Sequence, residues 1–445
     1  MPNFIIKTKK LLLLIGDIII LYLSLFLTLI FRYGFDSASD QWQSTLMPFT
    51  IIFVLWLIIF FISDMYDLKT NQGNVNFVNL LLKSFIINGI ISVVIFYFLA
   101  PLFNSIKPQR ILIIDLLISF ALIWSWRSFF YQFIKSAKVS NNVLILGRSD
   151  LTPLLRQEIE GRPQLGYKLI ICEDIPDDLK IYCVERKIDI LIIANEARKD
   201  QEISKKIFDC LSLGIDVFPL SGFFEQITNK IPVEFIEHDW FLENLSENSK
   251  KAYEITKRAM DVILAIIGLI VSLIFTPFIA LIIKLESPGP IIFKQVRTGK
   301  NGKTFLAMKF RSMIDKAEKN GPEWAQKNDA RVTKFGKILR KTRLDEIPQL
   351  VNILRGEMSF VGPRPERPEF IEILTQEIPF YEERLLTKPG LTGWAQLKGP
   401  SYGGSKEESL EKLKYDLYYI KHRSFTLDVS VILKTLRLVV GGKGQ

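Results

Sequence analysis

Two adjacent carboxylates, Asp345 and Glu346, stand in the segment TRLDEIPQL, directly after the most basic stretch of the chain. Positions 290 to 343 contain fifteen Lys and Arg residues and four acidic residues, a local charge of +11. A carboxylate can attack the phosphorus of an anionic substrate only where cations screen the approach, and carboxylates also bind Mg²⁺. The sequence therefore predicts chemistry on a phosphorylated substrate at this pair.

The pair is expected near the start of a short helix from Leu344 to Arg355, with Asp345 near the N-cap, Pro348 in the first turn and Gly356 at the end. Adjacent helical side chains point about 100° apart, so the two carboxylates are not expected to share one proton. They suit separate tasks, such as a nucleophile and a metal ligand. The basic residues just before the pair are expected to keep both ionised. Taken alone, the pair also fits an N-cap beside a surface Glu.

Basic side chains on both sides of the pair are expected to hold phosphate oxygens. In VGPRP, Arg364 lies between two prolines with fixed φ, and this rigid backbone suits bidentate capture of a phosphate. The segment IIFKQVRTGKNGKTFLAMKFRSM predicts a β-hairpin that turns at positions 300–303. Four of its basic side chains are expected on one face: Lys294, Arg297, Lys309 and Arg311. The pattern also fits a basic face against anionic lipid. The glycines of KPGLTGWAQ predict a loop that approaches a substrate closely.

Elements that lie in a membrane are expected before this region. The apolar runs at roughly 11 to 31, 47 to 63, 78 to 103 and 111 to 134 are each about long enough to cross 30 Å of hydrocarbon as a helix. Flanking basic residues place both ends of this bundle in the cytoplasm: Lys7, Lys9, Lys10, Lys135 and Lys138. Lys107 and Arg110 then fall in an outside loop. The first apolar run is too long for a cleavable signal peptide.

A small parallel α/β sheet is predicted from Asn141 onward. The β-branched runs NNVLILG, YKLIICED, IDILIIANE and GIDVFPL alternate with helix-compatible stretches. The first run ends in a single glycine, Gly147, in place of the three glycines of a dinucleotide fingerprint, which favours a structural or regulatory module over a cofactor site. The three cysteines have no CxxC spacing and the two histidines lie far from them, so we expect neither a zinc site nor a disulfide framework.

A fifth apolar segment, Val262 to Ile283, is long enough to span a membrane. A fifth crossing would carry the basic region out of the cytoplasm, and Pro277 removes a helical hydrogen bond inside the run. We therefore expect a broken helix that enters one leaflet and returns, with Thr276 satisfying a freed carbonyl. Lys257 and Arg258 at one mouth are expected to meet lipid headgroups. An ordinary kinked span is the alternative.

Taken in order, these motifs resemble the bacterial sugar transferase family, the monotopic phosphoglycosyl transferases. The resemblance covers residues of about 250 to 445 and rests on Lys257-Arg258 with Asp261, the proline-broken apolar segment, SPGP, KQVRTGKNGKTF, KFRSM, LDEIPQLVNILRGEMSFVGPRP and PGLTGW. With the elements in front, the chain looks like the long form of that family, the polyprenyl-phosphate hexose-1-phosphate transferases.

The resemblance implies three domains. An integral membrane α-helical bundle of four spans (1–138) precedes a Rossmann-like α/β domain without a dinucleotide fingerprint (139–245). A membrane-associated, mainly α-helical catalytic domain (250–445) follows, with a re-entrant broken helix at about 257–285 and a short β-hairpin. Family members usually carry Ser-Pro at the membrane break, where this chain has Thr276-Pro277, which keeps a hydroxyl.

By resemblance, Asp345 attacks the sugar-proximal phosphorus of a UDP-sugar, expels UMP and holds the sugar phosphate until polyprenyl phosphate takes it. Glu346 would help hold Mg²⁺, with Mn²⁺ as the substitute, while the basic residues of the hairpin and Arg364 clamp phosphate oxygens. The implied partners are a UDP-sugar, undecaprenyl phosphate, membrane lipid and a second copy in a homodimer, without nucleic acid.

The implied setting is the bacterial inner membrane with the catalytic domain on its cytoplasmic face. There the chain would perform the first membrane step of exopolysaccharide, capsule or O-antigen synthesis. Two alternatives remain: an NAD-dependent membrane-bound nucleotide-sugar dehydratase, and a non-catalytic membrane scaffold of glycan assembly in which the Asp-Glu pair is dispensable.

Overall fold

The computed structural model describes residues 2–67, 74–99, 108–135, 140–194, 200–245, 250–314, 329, 331–400 and 405–440. The chain forms two compact units, Met1–Thr228 and Asn229–Gln445. Predictions that concern Lys107 and Lys138 lie outside the described residues, as do the side chains of Lys7, Arg110 and Lys135.

Four long helices open the first unit: α1 (Pro2–Tyr33), α2 (Phe35–Ile62), α3 (Asn74–Leu99) and α4 (Pro108–Lys135). Each contains a stretch long and apolar enough to cross a membrane. Their core is built from large apolar side chains such as Leu25, Phe49 and Trp56, while many other apolar side chains, including Ile19 and Phe98, face outward. An apolar exterior around an apolar core is typical of helices that lie in lipid, which agrees with the predicted membrane bundle.

Polar residues are also buried inside this bundle. Arg127 donates a hydrogen bond to Asp17 at 2.5 Å and another to the carbonyl oxygen of Met65 at 2.8 Å, and Tyr66 donates to Asp17 at 2.7 Å. Both charged side chains are fully buried. Lys9 is also buried and donates to the carbonyl oxygen of Leu165 at 2.9 Å. The apolar helices are thus joined by polar contacts as well as by packing.

A four-stranded parallel sheet completes the first unit, and its strands fall on the four predicted runs. The strands are β1 (Asn141–Leu146), β2 (Tyr167–Cys172), β3 (Ile190–Ile193) and β4 (Asp216–Pro219), in the order β2-β1-β3-β4. They alternate with helices α5 (Leu151–Glu160), α6 (Leu179–Glu185), α7 (Gln201–Cys210) and α8 (Leu220–Thr228). The central strands are apolar along their buried length because helices cover a parallel sheet on its faces.

The second unit is mainly helical. Its helices are α9 (His238–Asn244), α10 (Lys251–Glu286), α11 (Lys334–Thr342), α12 (Gln349–Arg355), α13 (Pro368–Glu377), α14 (Trp394–Lys398), α15 (Lys406–His422) and α16 (Phe425–Val440). The predicted hairpin forms from β5 (Ile292–Thr298) and β6 (Thr304–Phe310), and β7 (Ser359–Val361) pairs in parallel with β8 (Gly390–Thr392). Ile231, Val233 and Ile236 pack with Trp394 and Leu417 in the core of this unit.

Helix α10 continues without interruption through Pro277, and it is also long and apolar enough to cross a membrane. Thr276 donates its hydroxyl to the carbonyl of Ser272 at 2.8 Å. The carbonyl that Pro277 leaves without its helical donor is that of Leu273, four residues earlier. The prediction that Thr276 satisfies the freed carbonyl is therefore wrong. A hydroxyl bonded one turn back instead favours a bend at this point.

Candidate active site

The carboxylate pair lies in a short 3-10 turn, Leu344–Glu346, and helix α12 begins only at Gln349. Arg343 precedes the turn with a left-handed φ of 56°, and its carbonyl accepts a hydrogen bond from the N–H of Glu346 at 3.1 Å. No side-chain hydrogen bond caps this turn or α12, so Asp345 is not an N-cap, and the predicted start of an α-helix at Leu344 is wrong. Gly356 ends α12 with φ 79°, as predicted.

Glu346 is held by two cations. Its Oε1 accepts hydrogen bonds from Lys309 Nζ at 2.8 Å and from Arg364 Nη2 at 3.0 Å, although the side chain is only 8% exposed. Burial by itself would raise the pKa of Glu346, but Lys309, Arg364 and Arg343 outweigh it and hold the pKa well below its usual range. Glu346 is therefore a carboxylate that fixes the positions of two basic side chains.

Asp345 has a different environment. It is 6% exposed, and among the residues that the structure describes its carboxylate has neither a hydrogen-bond donor nor an ion-pair partner. Burial raises the pKa of Asp345, and the positive charge of Lys309 opposes that rise. The pKa values of the two carboxylates thus move in opposite directions, and the expectation that both are ionised stays a prediction. The pair divides into a held carboxylate and an unpartnered one.

Arg364 is positioned by the backbone behind it. Strand β7 leads into VGPRP, and a β-carbon on Gly362 or Gly390 would collide with the backbone of the facing segment. The glycines of KPGLTGW thus allow two chain segments to touch, whereas the sequence predicted a close approach to a substrate. Arg384, fully within the interior, donates to the carbonyl oxygen of Arg364 at 3.1 Å and pairs with Asp416 at 2.9 Å.

Sequence reasoning missed Arg384 and Asp416, because no local motif surrounds either residue. It also treated Arg343 only as part of a basic stretch. The left-handed φ of Arg343, which is rare for a residue with a β-carbon, could not be read from residue types.

The two faces of the hairpin separate the predicted phosphate-binding residues. Lys309 is opposite Phe293 in the ladder, Arg297 is opposite Phe305, and Lys294 is opposite Met308. Side chains alternate along a strand, so Arg297 and Lys309 share one face and Lys294 lies on the other. Arg297 donates to the carbonyl oxygen of Pro365 at 3.1 Å, next to Arg364. The prediction of four cations on one face is wrong for Lys294, which is exposed.

The side chain of Arg311, which follows β6, contacts the C-terminal end of α10. Its Nη2 donates to the carbonyl of Ser287 at 2.6 Å, to the Ser287 hydroxyl at 3.0 Å and to the carbonyl of Ile283 at 3.3 Å. Within the described part of the chain, its buried Nε and Nη1 atoms have no hydrogen-bond partner. A role of Arg311 in binding substrate phosphate stays a prediction.

Lys257 and Arg258 hold α10 against its own unit. Lys257 is 7% exposed and donates to Asp428 at 2.7 Å, so the prediction that it meets lipid headgroups is wrong. Arg258 donates to the carbonyls of Ile353 and Leu354 at 2.6 and 2.7 Å and so caps the end of α12, and its contact with lipid headgroups stays a prediction. Helix ends leave carbonyls unsatisfied, and an Arg is a favourable donor there.

A metal ion would depend on the carboxylate pair. Among the described residues there is no cluster of three or more His, Cys, Asp or Glu side chains that could hold one. Both hydrogen bonds to Glu346 reach Oε1, so Oε2 is left as a donor atom for a cation. Mg²⁺ is commonly bound by one or two carboxylates together with substrate phosphates. The donor set therefore fits Mg²⁺ that arrives with a diphosphate.

The region that contains the carboxylate pair matches a known protein family. Residues 252–442 match the family model described as bacterial sugar transferase. The chain is 39% identical over 238 residues to UDP-N-acetylgalactosamine-undecaprenyl-phosphate N-acetylgalactosaminephosphotransferase of Aeromonas hydrophila, covering 53% of this chain and 55% of the relative. It is 50% identical over 141 residues to the putative undecaprenyl-phosphate N-acetylgalactosaminyl 1-phosphate transferase of Bacillus subtilis (strain 168), covering 32% of this chain and 78% of the relative.

A third relative is matched over almost its whole length. The exopolysaccharide production protein PSS of Rhizobium leguminosarum bv. phaseoli is 42% identical over 189 residues, which are 41% of this chain and 94% of that protein. The matched part spans almost the whole Rhizobium protein but only about half of the Aeromonas protein.

Proposed function

Because the chain belongs to the bacterial sugar transferase family, we propose that it transfers a sugar 1-phosphate from a UDP-sugar to undecaprenyl phosphate and releases UMP. The observation that carries the proposal is the buried and unpartnered carboxylate of Asp345 beside two cations that Glu346 holds in place. The names of the Aeromonas and Bacillus relatives make an N-acetylhexosamine the sugar to test first, with glucose as the comparison.

The proposed reaction has two steps at Asp345. A carboxylate oxygen of Asp345 attacks the phosphorus that carries the sugar, the bond to the UMP oxygen breaks, and UMP leaves with the electron pair of that bond. An acyl phosphate then joins the sugar phosphate to Asp345. An oxygen of undecaprenyl phosphate attacks the same phosphorus, and the Asp345 carboxylate is released. Because Asp345 has no hydrogen bond to break, it meets phosphorus without first giving up a partner.

Glu346 prepares the cations for this displacement. Charge grows on the phosphoryl oxygens and on the leaving UMP oxygen, and fixed cations stabilise it without having to reorganise. Lys309 and Arg364 are fixed through Glu346, and Arg297 is fixed through Pro365. When bound, Mg²⁺ would supply further positive charge along the diphosphate, with Mn²⁺ as its substitute, and Glu346 Oε2 is the atom of this chain that would hold it.

Helix α10 is proposed to be re-entrant, entering and leaving the bilayer on the cytoplasmic face of a bacterial inner membrane. At its start, Lys257 binds Asp428, and at its end the carbonyls of Ile283 and Ser287 bind Arg311. A straight helix from 257 to 283 would be about 39 Å long, enough to separate these ends by a whole bilayer. Contacts of both ends with one unit support the re-entrant arrangement. Four spans before it would place the parallel sheet of the first unit and the second unit on the cytoplasmic side.

UMP release by the purified full-length protein tests the function. The protein in detergent is incubated with UDP-N-acetylgalactosamine, Mg²⁺ and undecaprenyl phosphate, with UDP-glucose as a comparison donor. We expect UMP from the wild type and a loss of about 10⁴-fold or more in Asp345→Asn, because the amide is not a nucleophile toward phosphorus. Asp239→Asn changes an acid in α9 of the same unit and serves as the control.

A second readout separates the covalent step from turnover. Without undecaprenyl phosphate, the intact mass of the wild type should rise by one sugar phosphate, and that of Asp345→Asn should not. Full turnover by Asp345→Asn would refute the covalent route. Undiminished complementation of a glycan-deficient strain by Asp345→Ala would instead support the scaffold alternative.

Cysteine labelling tests the path of α10. Lys251→Cys and Lys284→Cys place exposed thiols near the two ends of the helix, in a chain whose three native cysteines are replaced. A membrane-impermeant maleimide should react with both positions from the same side. Reaction of Lys251→Cys from one side and Lys284→Cys from the other would show an ordinary span.

A further inference from the structure

A cavity in the second unit, Asn229–Gln445, is lined by charged side chains that the proposed reaction does not use. It has a volume of about 40 Å³ and lies between the start of α10 and the segment before β8. The charged and hydroxyl-bearing residues of its lining are Glu254, Lys257, Arg258, Asp261, Thr387, Lys388, Tyr419 and Arg423.

Most charges at this cavity are matched within the chain. Asp428 balances Lys257, and Glu254 lies 3.3 Å from Arg423. The remaining acid, Asp261, accepts hydrogen bonds from the Ser359 hydroxyl at 3.1 Å and the Phe360 N–H at 2.9 Å. Both hydrogen bonds reach Oδ1, so Asp261 is a carboxylate on the cavity wall that has no ion-pair partner among the described residues.

Two cations remain without a carboxylate partner. The ammonium group of Lys388 has no hydrogen bond or ion pair within the part of the chain that the structure describes, and Arg258 donates only to backbone carbonyls. A β-carbon on Gly356 would lie 3.5 Å from Lys388 Nζ and 3.7 Å from Arg258 Nη2, so the two nitrogens are at most about 7 Å apart, the sum of these distances. Burial and then the charge of Arg258 lower the pKa of Lys388.

The hydroxyl group of Thr387 also lines this cavity, beside the two cations. Thr387 is 7% exposed, and its buried Oγ1 has no hydrogen-bond partner among the described residues. A buried hydroxyl without a partner is costly unless a ligand or water satisfies it. Arg258, Lys388 and Thr387 therefore line one cavity in which Asp261 is the single unpaired carboxylate among the described residues, so the unpaired cations outnumber the unpaired acids.

We propose that this cavity is a phosphate-binding site, in which Lys388 Nζ and Thr387 Oγ1 donate to phosphate oxygens and Arg258 supplies the second positive charge. The oxygens of a phosphate are about 2.5 Å apart, so it bridges N–H donors that are up to roughly 8 Å apart. The ligand class is a phosphate monoester or diester, and either a lipid headgroup or free phosphate presents this chemistry. The site is distinct from the carboxylate pair, because neither Asp345 nor Glu346 lines it.

Thermal unfolding of the full chain in non-ionic detergent tests the site with inorganic phosphate. All samples carry Arg364→Met, which removes one of the cations proposed to bind phosphate at the carboxylate pair, so that the change in Tm between variants reports on Lys388. We expect saturating phosphate to raise the Tm of this protein by roughly 3 °C or more, and Lys388→Met to abolish the rise. Lys406→Met, an exposed lysine at the start of α15, should keep it. Lys388→Arg should also keep it, which separates lost binding from misfolding.

Native mass spectrometry distinguishes the two sources. The same proteins, stripped of lipid, are mixed with phosphatidylglycerol or with a galactolipid that lacks phosphate. One phosphatidylglycerol retained per chain, lost in Lys388→Met and kept in Lys388→Arg, identifies a lipid headgroup. A Lys388-dependent rise in Tm without lipid retention identifies free phosphate. If neither measurement depends on Lys388, the proposal is wrong.

Discussion

The buried ion pair of the helical bundle and the carboxylate pair of the catalytic unit use similar residues but differ in charge balance. In the bundle, Asp17 meets Arg127, and both are fully buried with further hydrogen bonds from Tyr66 and to Met65. In the catalytic unit, Lys309 and Arg364 share the single oxygen Oε1 of Glu346, and nearby Asp345 has no partner. A matched pair holds helices together, whereas excess cations beside an unpartnered carboxylate leave room for an anionic ligand.

The largest effect is expected from breaking the matched pair. Arg127→Met leaves Asp17 as a buried charge without its cation and should destabilise the bundle by about 3–5 kcal/mol. The double variant Asp17→Leu/Arg127→Met removes both charges and should recover much of that loss. Unfolding of the detergent-solubilised protein measures both. Equal losses in the single and double variants would show that packing, and not charge balance, is what matters there.

The next effect concerns the two faces of the hairpin. Lys309→Met removes a fixed cation from the proposed displacement and should lower the rate of UMP release by about 10²–10³-fold. Lys294→Met removes an equal charge from the opposite face and should change the rate by no more than about twofold. The pair is matched in residue type and strand context. A large loss in Lys294→Met would contradict the assignment of faces.

The smallest effect is a shift in pH dependence. Asp345 must be deprotonated to attack phosphorus, so turnover should fall about tenfold for each pH unit below its pKa. Because burial raises that pKa, the fall should begin at a higher pH than an ordinary Asp would give. Glu346→Gln removes a neighbouring negative charge and frees Lys309 and Arg364 to act on Asp345, which lowers the pKa of Asp345. The residual activity of that variant should therefore persist to lower pH, and an unchanged pH profile would argue against coupling of the two carboxylates.

Much of the fold could be read from local patterns. Apolar length predicted the four helices of the bundle, and β-branched runs predicted the four strands from Asn141 to Pro219. The turn at Lys300–Gly302 followed from its Asn-Gly pair, and the end of α12 followed from Gly356. Each of these patterns depends on a few neighbouring residues, so it predicts local structure without knowledge of the rest of the chain.

Partners that are distant in sequence could not be read in this way. Lys257 was expected at the membrane surface but pairs with Asp428, 171 residues later, and Lys294 was grouped with cations from which the strand alternation separates it. Arg384 and Asp416, which support Arg364, carry no local signal. Residue types state which contacts are chemically favourable, and only the folded chain selects one partner from many.

The opposite behaviour of Asp345 and Glu346 shows where this limit lies. The sequence by itself determined that two carboxylates stand beside a strongly basic stretch and that they are suited to different tasks. The tertiary structure decided which carboxylate receives the cations, because Lys309 and Arg364 converge on Glu346 from separate segments and leave Asp345 buried without a partner. The pKa of a buried carboxylate depends on desolvation and on charges within a few ångströms, and those distances exist only after folding.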